Sequence, residues 1–184
     1  MGILEIKKEL KKFDKDKLID IIADLYKKHK TVKDYFDFFV NPNEKLIFSK
    51  YKDKIFEAFC PKRGYTLNLK DAKQAIDDLK KLEVSAELIA DHMLFYVECG
   101  VSYTNDYGDI NDSFYVRLAK MYLQSLILMK KENCLDKYQK RAFKVVDDSS
   151  GIGWGFHDYV VQAYFDFYPE DSEDEEKIAP VIKL

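Results

Sequence analysis

Apolar residues recur along the chain at intervals of three and four, and strict alternation of apolar and polar positions is almost absent. This spacing places the apolar side chains on one face of an α-helix, so the pattern predicts helices rather than strands. Polar or Gly/Pro breaks divide the pattern into about nine helices. They are predicted to begin near Ile3, Asp14–Asp16, Thr31, Asn43, Lys70, Ser85, Asp109–Ser113, Asp136 and Phe156.

The predicted fold class is therefore all-α, with successive helices joined by short connections that favour antiparallel neighbours. Helix pairs of this kind pack either as an irregular bundle or as a short α-solenoid, and no sequence repeat decides between the two. We predict a single helical domain over residues 1–168. Residues 169–184 are predicted to form an acidic, flexible C-terminal tail.

Charge adds one feature to this picture, an acidic block near the end of the chain. The 30 basic and 33 acidic residues nearly cancel, so the net charge of −3 points to neither nucleic acid nor membrane. Six of the acidic residues fall within residues 170–176. Acidic blocks repel themselves and stay solvated, which is why we separate this segment from the helical domain.

The three cysteines, Cys60, Cys99 and Cys134, are an odd number and form no CxxC pair. We interpret them as small buried apolar residues in a reducing compartment, and we expect a cytoplasmic protein. Residues 1–12 are amphipathic and do not resemble a signal peptide. No apolar run is long enough for a membrane span, so we expect no membrane partner.

The first candidate site is the pair Lys62 and Arg63, between a Pro that stops a helix and a Gly that permits a turn. An Arg presents a planar set of donors to carboxylate or phosphate, so this pair is a candidate anion clamp. A helix C-terminus that favours positive charge is the alternative.

The second candidate is the polar, aromatic segment between the two most apolar predicted helices, which contains Tyr103, Asn105, Asp106 and Asp109. These side chains are predicted either to line a pocket or to cap the following helix.

The third candidate is the glycine-rich segment 151–158, which holds the only tryptophan, Trp154, together with His157 and Asp158. Glycines allow a loop to approach a ligand closely. The alternative is a tight loop whose tryptophan fills the core. We further predict that these three segments meet on one face, where Arg63 pairs with Asp106, Asp109 or Asp158.

Motifs for catalysis, metals and cofactors are missing from the sequence. The Glu-x-x-His pairs of di-iron bundles, the Gly-rich phosphate loops and the nucleophile motifs all fail to match, and the three histidines are isolated. We predict no metal site, no cofactor and no catalytic residue.

Four stretches of the chain resemble an uncharacterised family of small bacterial proteins, a domain of unknown function. They are the lysine-rich helix pair over Leu10–Lys28, FCPKRGY over Phe59–Tyr65, FYVECGVSYTNDYGDI over Phe95–Ile110, and GWGFHD over Gly153–Asp158. The resemblance extends to about residue 168. It implies a bacterial origin and an all-helical domain, and it implies no activity, substrate or cofactor.

Three functions remain open at this point, and the first is favoured. It is a non-catalytic helical interaction module that binds a protein or peptide in an aromatic-lined groove. The second is a small-molecule or anion-binding protein, or an enzyme, with a pocket around Arg63, Asp109 and Trp154. The third is RNA binding, which the absence of a strong basic surplus argues against. The sequence leaves the oligomeric state open.

Overall fold

A computed structural model describes residues 2–60 and 67–169 of the chain, and within these residues it contains nine helices and no strand. The all-α prediction is confirmed. The helices are α1 (Ile3–Leu10), α2 (Lys15–Lys28), α3 (Lys30–Val40), α4 (Glu44–Phe59), α5 (Leu69–Lys80), α6 (Ala86–Tyr107), α7 (Asp112–Lys131), α8 (Leu135–Asp148) and α9 (Phe156–Phe167).

Helix starts follow the capping residues that the sequence supplies. The side chains of Asp14, Asn68, Ser85 and Asn111 each accept a hydrogen bond from a backbone N–H in the first turn of the helix that follows. The predicted order and number of the helices are confirmed, and the predicted helix starts lie within two residues of the observed ones.

The chain divides into two compact units, with the boundary after Glu44. In the N-terminal unit, α2 and α3 pack together and are joined by polar contacts. The Tyr26 hydroxyl on α2 donates to Asp37 Oδ1 on α3 at 2.6 Å, and Lys33 Nζ on α3 donates to the Tyr26 hydroxyl at 3.0 Å. Neither α1 nor α2 contains a fully buried residue. The prediction of a single domain over residues 1–168 stays a prediction.

The C-terminal unit is built around α6 and α7, the two described helices that carry the most buried residues. The side chain of Leu118 on α7 lies directly against the α6 backbone at Gly100. α8 lies beside α6, with Lys137 and Arg141 reaching Glu87 and Glu98.

On the other side of α6, rings at both ends of α4 pack against it, Phe48 on His92 and Phe59 on Tyr96, each with ring centroids 5.1 Å apart. α9 packs on α7, and α5 packs on α6. The unit therefore has two layers of helices, α4, α6 and α8 in one, α5, α7 and α9 in the other. Its consecutive helix pairs lie side by side, as in a short stack of helical hairpins.

Candidate functional site

Two of the three predicted site segments lie close together. Asn105 Nδ2 donates a hydrogen bond to the backbone oxygen of Asp148 at 2.8 Å, which ties the end of α6 to the end of α8. The Tyr115 hydroxyl donates to Asp109 at 3.0 Å. A Cβ placed on Gly153 would lie 3.5 Å from Asp109 Oδ2, so the glycine-rich segment passes directly over this carboxylate.

The segment containing Tyr103, Asn105 and Asp106 is helical, which corrects the expectation of a polar connection. α6 continues to Tyr107 because its inward positions, Val101 and Thr104, are buried, while the polar residues face solvent. The alternative role as a cap is also wrong, because Asn111 caps α7. Tyr103 instead packs on Tyr107 with ring centroids 4.7 Å apart.

Trp154 does not fill the core, and that alternative is wrong. Its side chain is 57% exposed, while its neighbours Ile152 and Phe156 are buried. Trp154 also has φ +62°, a left-handed conformation that is rare for a bulky residue. Asp158 is exposed in the first turn of α9, and His157 Nδ1 lies 3.0 Å from the Ser149 hydroxyl.

Lys62 and Arg63 lie outside the described residues, so their pairing with Asp106, Asp109 or Asp158 stays a prediction. The convergence of all three segments on one face likewise stays a prediction. The structure brings together only the second and third.

A groove that the sequence analysis did not identify lies between α5 and α7. It has a volume of about 300 Å³ and is lined by Leu69, Lys70, Lys73, Gln74, Asp77, Tyr96, Arg117, Lys120, Met121 and Gln124. Four of these residues are cations and one is an acid. The single acid, Asp77, is already paired with Lys73 at 2.6 Å. The groove thus combines an apolar floor with a positively charged rim.

Three rim cations, Lys70, Arg117 and Lys120, form no ion pair with any described residue. All three are exposed, so each remains able to pair with an anionic ligand. Their arrangement follows from helix periodicity, because Arg117 and Lys120 are three residues apart on one face of α7. Lys70 and Lys73 have the same spacing on α5.

Tyr96 lies on the floor of the groove and has unused hydrogen-bonding capacity. Its side chain is 1% exposed, and its hydroxyl has no hydrogen-bond partner among the described residues. Burial raises the pKa of Tyr96 to about 12, although the positive charge of Arg117 acts to lower it. The Tyr96 hydroxyl can therefore donate a hydrogen bond to a ligand in the groove or accept one from it.

A second polar cluster joins α4, α6 and α8 through ion pairs. Arg141 donates from Nη1 to Asp91 at 2.9 Å and from Nε and Nη2 to the two oxygens of Glu98, each at 2.8 Å. Lys52 Nζ lies 2.9 Å from the other Asp91 oxygen. Burial raises the pKa of Asp91, but the hydrogen bond from Lys52 and the charge of Arg141 outweigh it and hold that pKa below its usual value.

His92 adjoins this cluster and is fully buried. Its Nδ1 lies 2.7 Å from the Leu88 carbonyl oxygen, and its Nε2 lies 3.0 Å from the Phe48 carbonyl oxygen. Burial lowers the pKa of His92, and the two carbonyls and Asp91 partly oppose the shift. With both ring nitrogens on backbone carbonyls and no opening to solvent, His92 ties α4 to α6 and is not placed for catalysis.

In the part of the chain that the structure describes, no three His, Cys, Asp or Glu side chains are grouped so as to hold a metal ion. Of the cysteines only Cys99 is buried, and burial raises the pKa of its thiol to about 12. Cys60 and Cys134 are half-buried, which corrects the expectation that all three are core residues.

A family model matches residues 1–168, which is the extent that the four sequence motifs indicate. The chain belongs to DUF6155, a family of unknown function. Comparison with curated proteins and with solved structures gave no match. The acidic residues 170–176 lie beyond the part of the chain that the DUF6155 model covers.

None of the helices in residues 2–60 and 67–169 combines the length and the apolar character that crossing a bilayer requires.

Proposed function

We propose that this DUF6155 protein is a non-catalytic interaction module whose α5–α7 groove binds a peptide segment with carboxylates flanking an apolar side chain. The observation that carries the proposal is the combination of three rim cations with a Tyr96 hydroxyl on the groove floor, none of which is paired with a residue that the structure describes. Leu69 and Met121 supply the apolar contact for the anchor residue.

Size and chemistry support a peptide anchor at this site. A volume of about 300 Å³ is at the small end of ligand pockets, and it suits one or two side chains rather than a whole folded partner. Exposed cations give modest affinity individually, so the apolar anchor provides binding energy while Arg117 and Lys120 select for negative charge.

The binding test uses the full chain and a fluorescein-labelled peptide in which a pair of leucines is flanked by glutamates. Lys120→Glu is expected to weaken binding about tenfold, because attraction to the probe becomes repulsion. Lys140→Glu is the matched control, since Lys140 is an exposed lysine on α8 that pairs with no described residue and does not line the groove. Fluorescence anisotropy measures both affinities.

Equal loss of affinity in Lys120→Glu and Lys140→Glu would show that only net charge matters, and would contradict the proposal. So would equal binding of a control peptide with serines in place of the leucines. Tighter binding of a single-stranded RNA oligonucleotide than of the peptide would favour the RNA function instead.

A second candidate, small-molecule or anion binding near Asp109 and Gly153, is favoured by the exposed Trp154 in its left-handed conformation. A bulky residue held in that conformation is the kind of strain that accompanies functional loops. Trp154 is the only tryptophan, so its emission reports on this surface directly. A change in Trp154 emission on adding the probe would place binding there rather than in the α5–α7 groove.

We also propose a cytoplasmic location in a bacterial cell. The three cysteines form no disulfide, which fits a reducing compartment, where disulfides rarely persist.

A further inference from the structure

The chain itself contains a segment with the composition that the α5–α7 groove would select. Residues 170–176 carry six acidic side chains, and the apolar residues Ile178, Val181, Ile182 and Leu184 follow them. The groove offers the complement of both features, a cationic rim of Lys70, Lys73, Arg117 and Lys120 and an apolar floor.

The start of this segment is close enough to the groove for an intramolecular contact. α9 ends at Phe167, whose ring centroid lies 5.4 Å from Lys130 Nζ on α7. Lys130 and the groove residue Gln124 are on the same helix, about 9 Å apart at 1.5 Å per residue. From Pro169 to Ile178 an extended chain spans up to about 30 Å. That length is sufficient to pass around α7, a helix about 10 Å across, and to enter the groove.

We propose that residues 170–184 occupy the α5–α7 groove as an intramolecular ligand that competes with the peptide partner. The inference rests on the proposed function of that groove. Carboxylates of residues 170–176 would pair with Arg117 and Lys120, and an apolar residue from Ile178 onward would contact Leu69 and Met121. A tethered segment of this length has an effective concentration of about 1 mM, so even weak intrinsic affinity is enough to compete.

The experiment compares the full chain with a full-length variant carrying Ile178→Ser, Val181→Ser, Ile182→Ser and Leu184→Ser. The probe is a labelled synthetic peptide of residues 170–184, titrated by fluorescence anisotropy. We expect the variant to bind the probe about tenfold more tightly, the ratio that an effective concentration of about 1 mM gives for a Kd of about 0.1 mM. Adding Lys120→Glu to the variant should remove this gain, whereas adding Lys140→Glu should leave it.

Equal affinity of the full chain and the variant for the probe would overturn the inference. If the variant binds the leucine–glutamate peptide but not the peptide of residues 170–184, the groove is a binding site and the intramolecular ligand is wrong. If the variant binds neither peptide, both the intramolecular ligand and the proposed function are wrong.

Discussion

Replacing Arg141 by methionine is expected to lower the free energy of unfolding by about 3 kcal/mol. Methionine keeps part of the apolar stem, but Glu98 loses its two hydrogen bonds from Arg141, and Asp91 loses one of its two ion pairs and keeps the one with Lys52. The Asp91 side chain is only 10% exposed, so solvent compensates little of the loss there. The value is at the low end for a broken buried ion pair because a third of the Arg141 side chain is exposed.

Urea denaturation of Arg141→Met, compared with Lys144→Met, measures this effect. Lys144 lies on the same helix and forms an exposed pair with Asp148, so its replacement should cost no more than about 0.5 kcal/mol. Arg141→Lys should fall between the two variants, because lysine keeps the charge but not the two-pronged contact with Glu98. A cost for Arg141→Met equal to that of Lys144→Met would show that the cluster does not stabilise the C-terminal unit.

Replacing Gly100 by valine is expected to destabilise the protein by about 3 kcal/mol. A Cβ at this position would lie 2.4 and 2.7 Å from the two methyl carbons of Leu118, and Leu118 is fully buried. The packing of α6 on α7 must therefore open, or Leu118 must leave its rotamer. The higher helix propensity of a residue with a side chain offsets only part of this cost.

Two companion variants separate crowding from helix propensity in thermal or urea unfolding. Ser102→Val, on the exposed side of α6, should change stability by about 0.5 kcal/mol or less. In the double variant Gly100→Val with Leu118→Ala, the vacated space should accommodate the new methyl groups, so the combined cost should be less than the sum of the two. If the stability loss of the double variant equals the sum of the two single losses, the close contact between Gly100 and Leu118 is contradicted.

The helices were predictable because each is specified by nearby residues. The apolar spacing of α6 and the caps at Ser85 and Asp14 act within a few residues of one another, so one sequence is enough to place them. The same spacing explains the error at Tyr103–Asp106. Polar composition suggested a connection, but the buried Val101 and Thr104 continue the helix to Tyr107.

The α5–α7 groove could not be predicted in this way because its residues come from helices that lie far apart in the sequence. Lys70 and Lys73 on α5 and Arg117 and Lys120 on α7 each resemble an ordinary solvated helix face. These four cations form a single rim only because both helices pack around Tyr96. The Arg141 cluster was missed for the same reason, since its members lie on α4, α6 and α8.

Amide chemical-shift mapping with the leucine–glutamate peptide tests the central claim, that the α5–α7 groove is the binding surface. The full, isotope-labelled chain is titrated and its backbone amides are followed by NMR. We predict that the largest shifts fall at residues 69–77 and 117–124, and at Tyr96 on the floor of the groove. Shifts confined to residues 103–109 and 152–158 would place binding at the Trp154 surface and contradict the account.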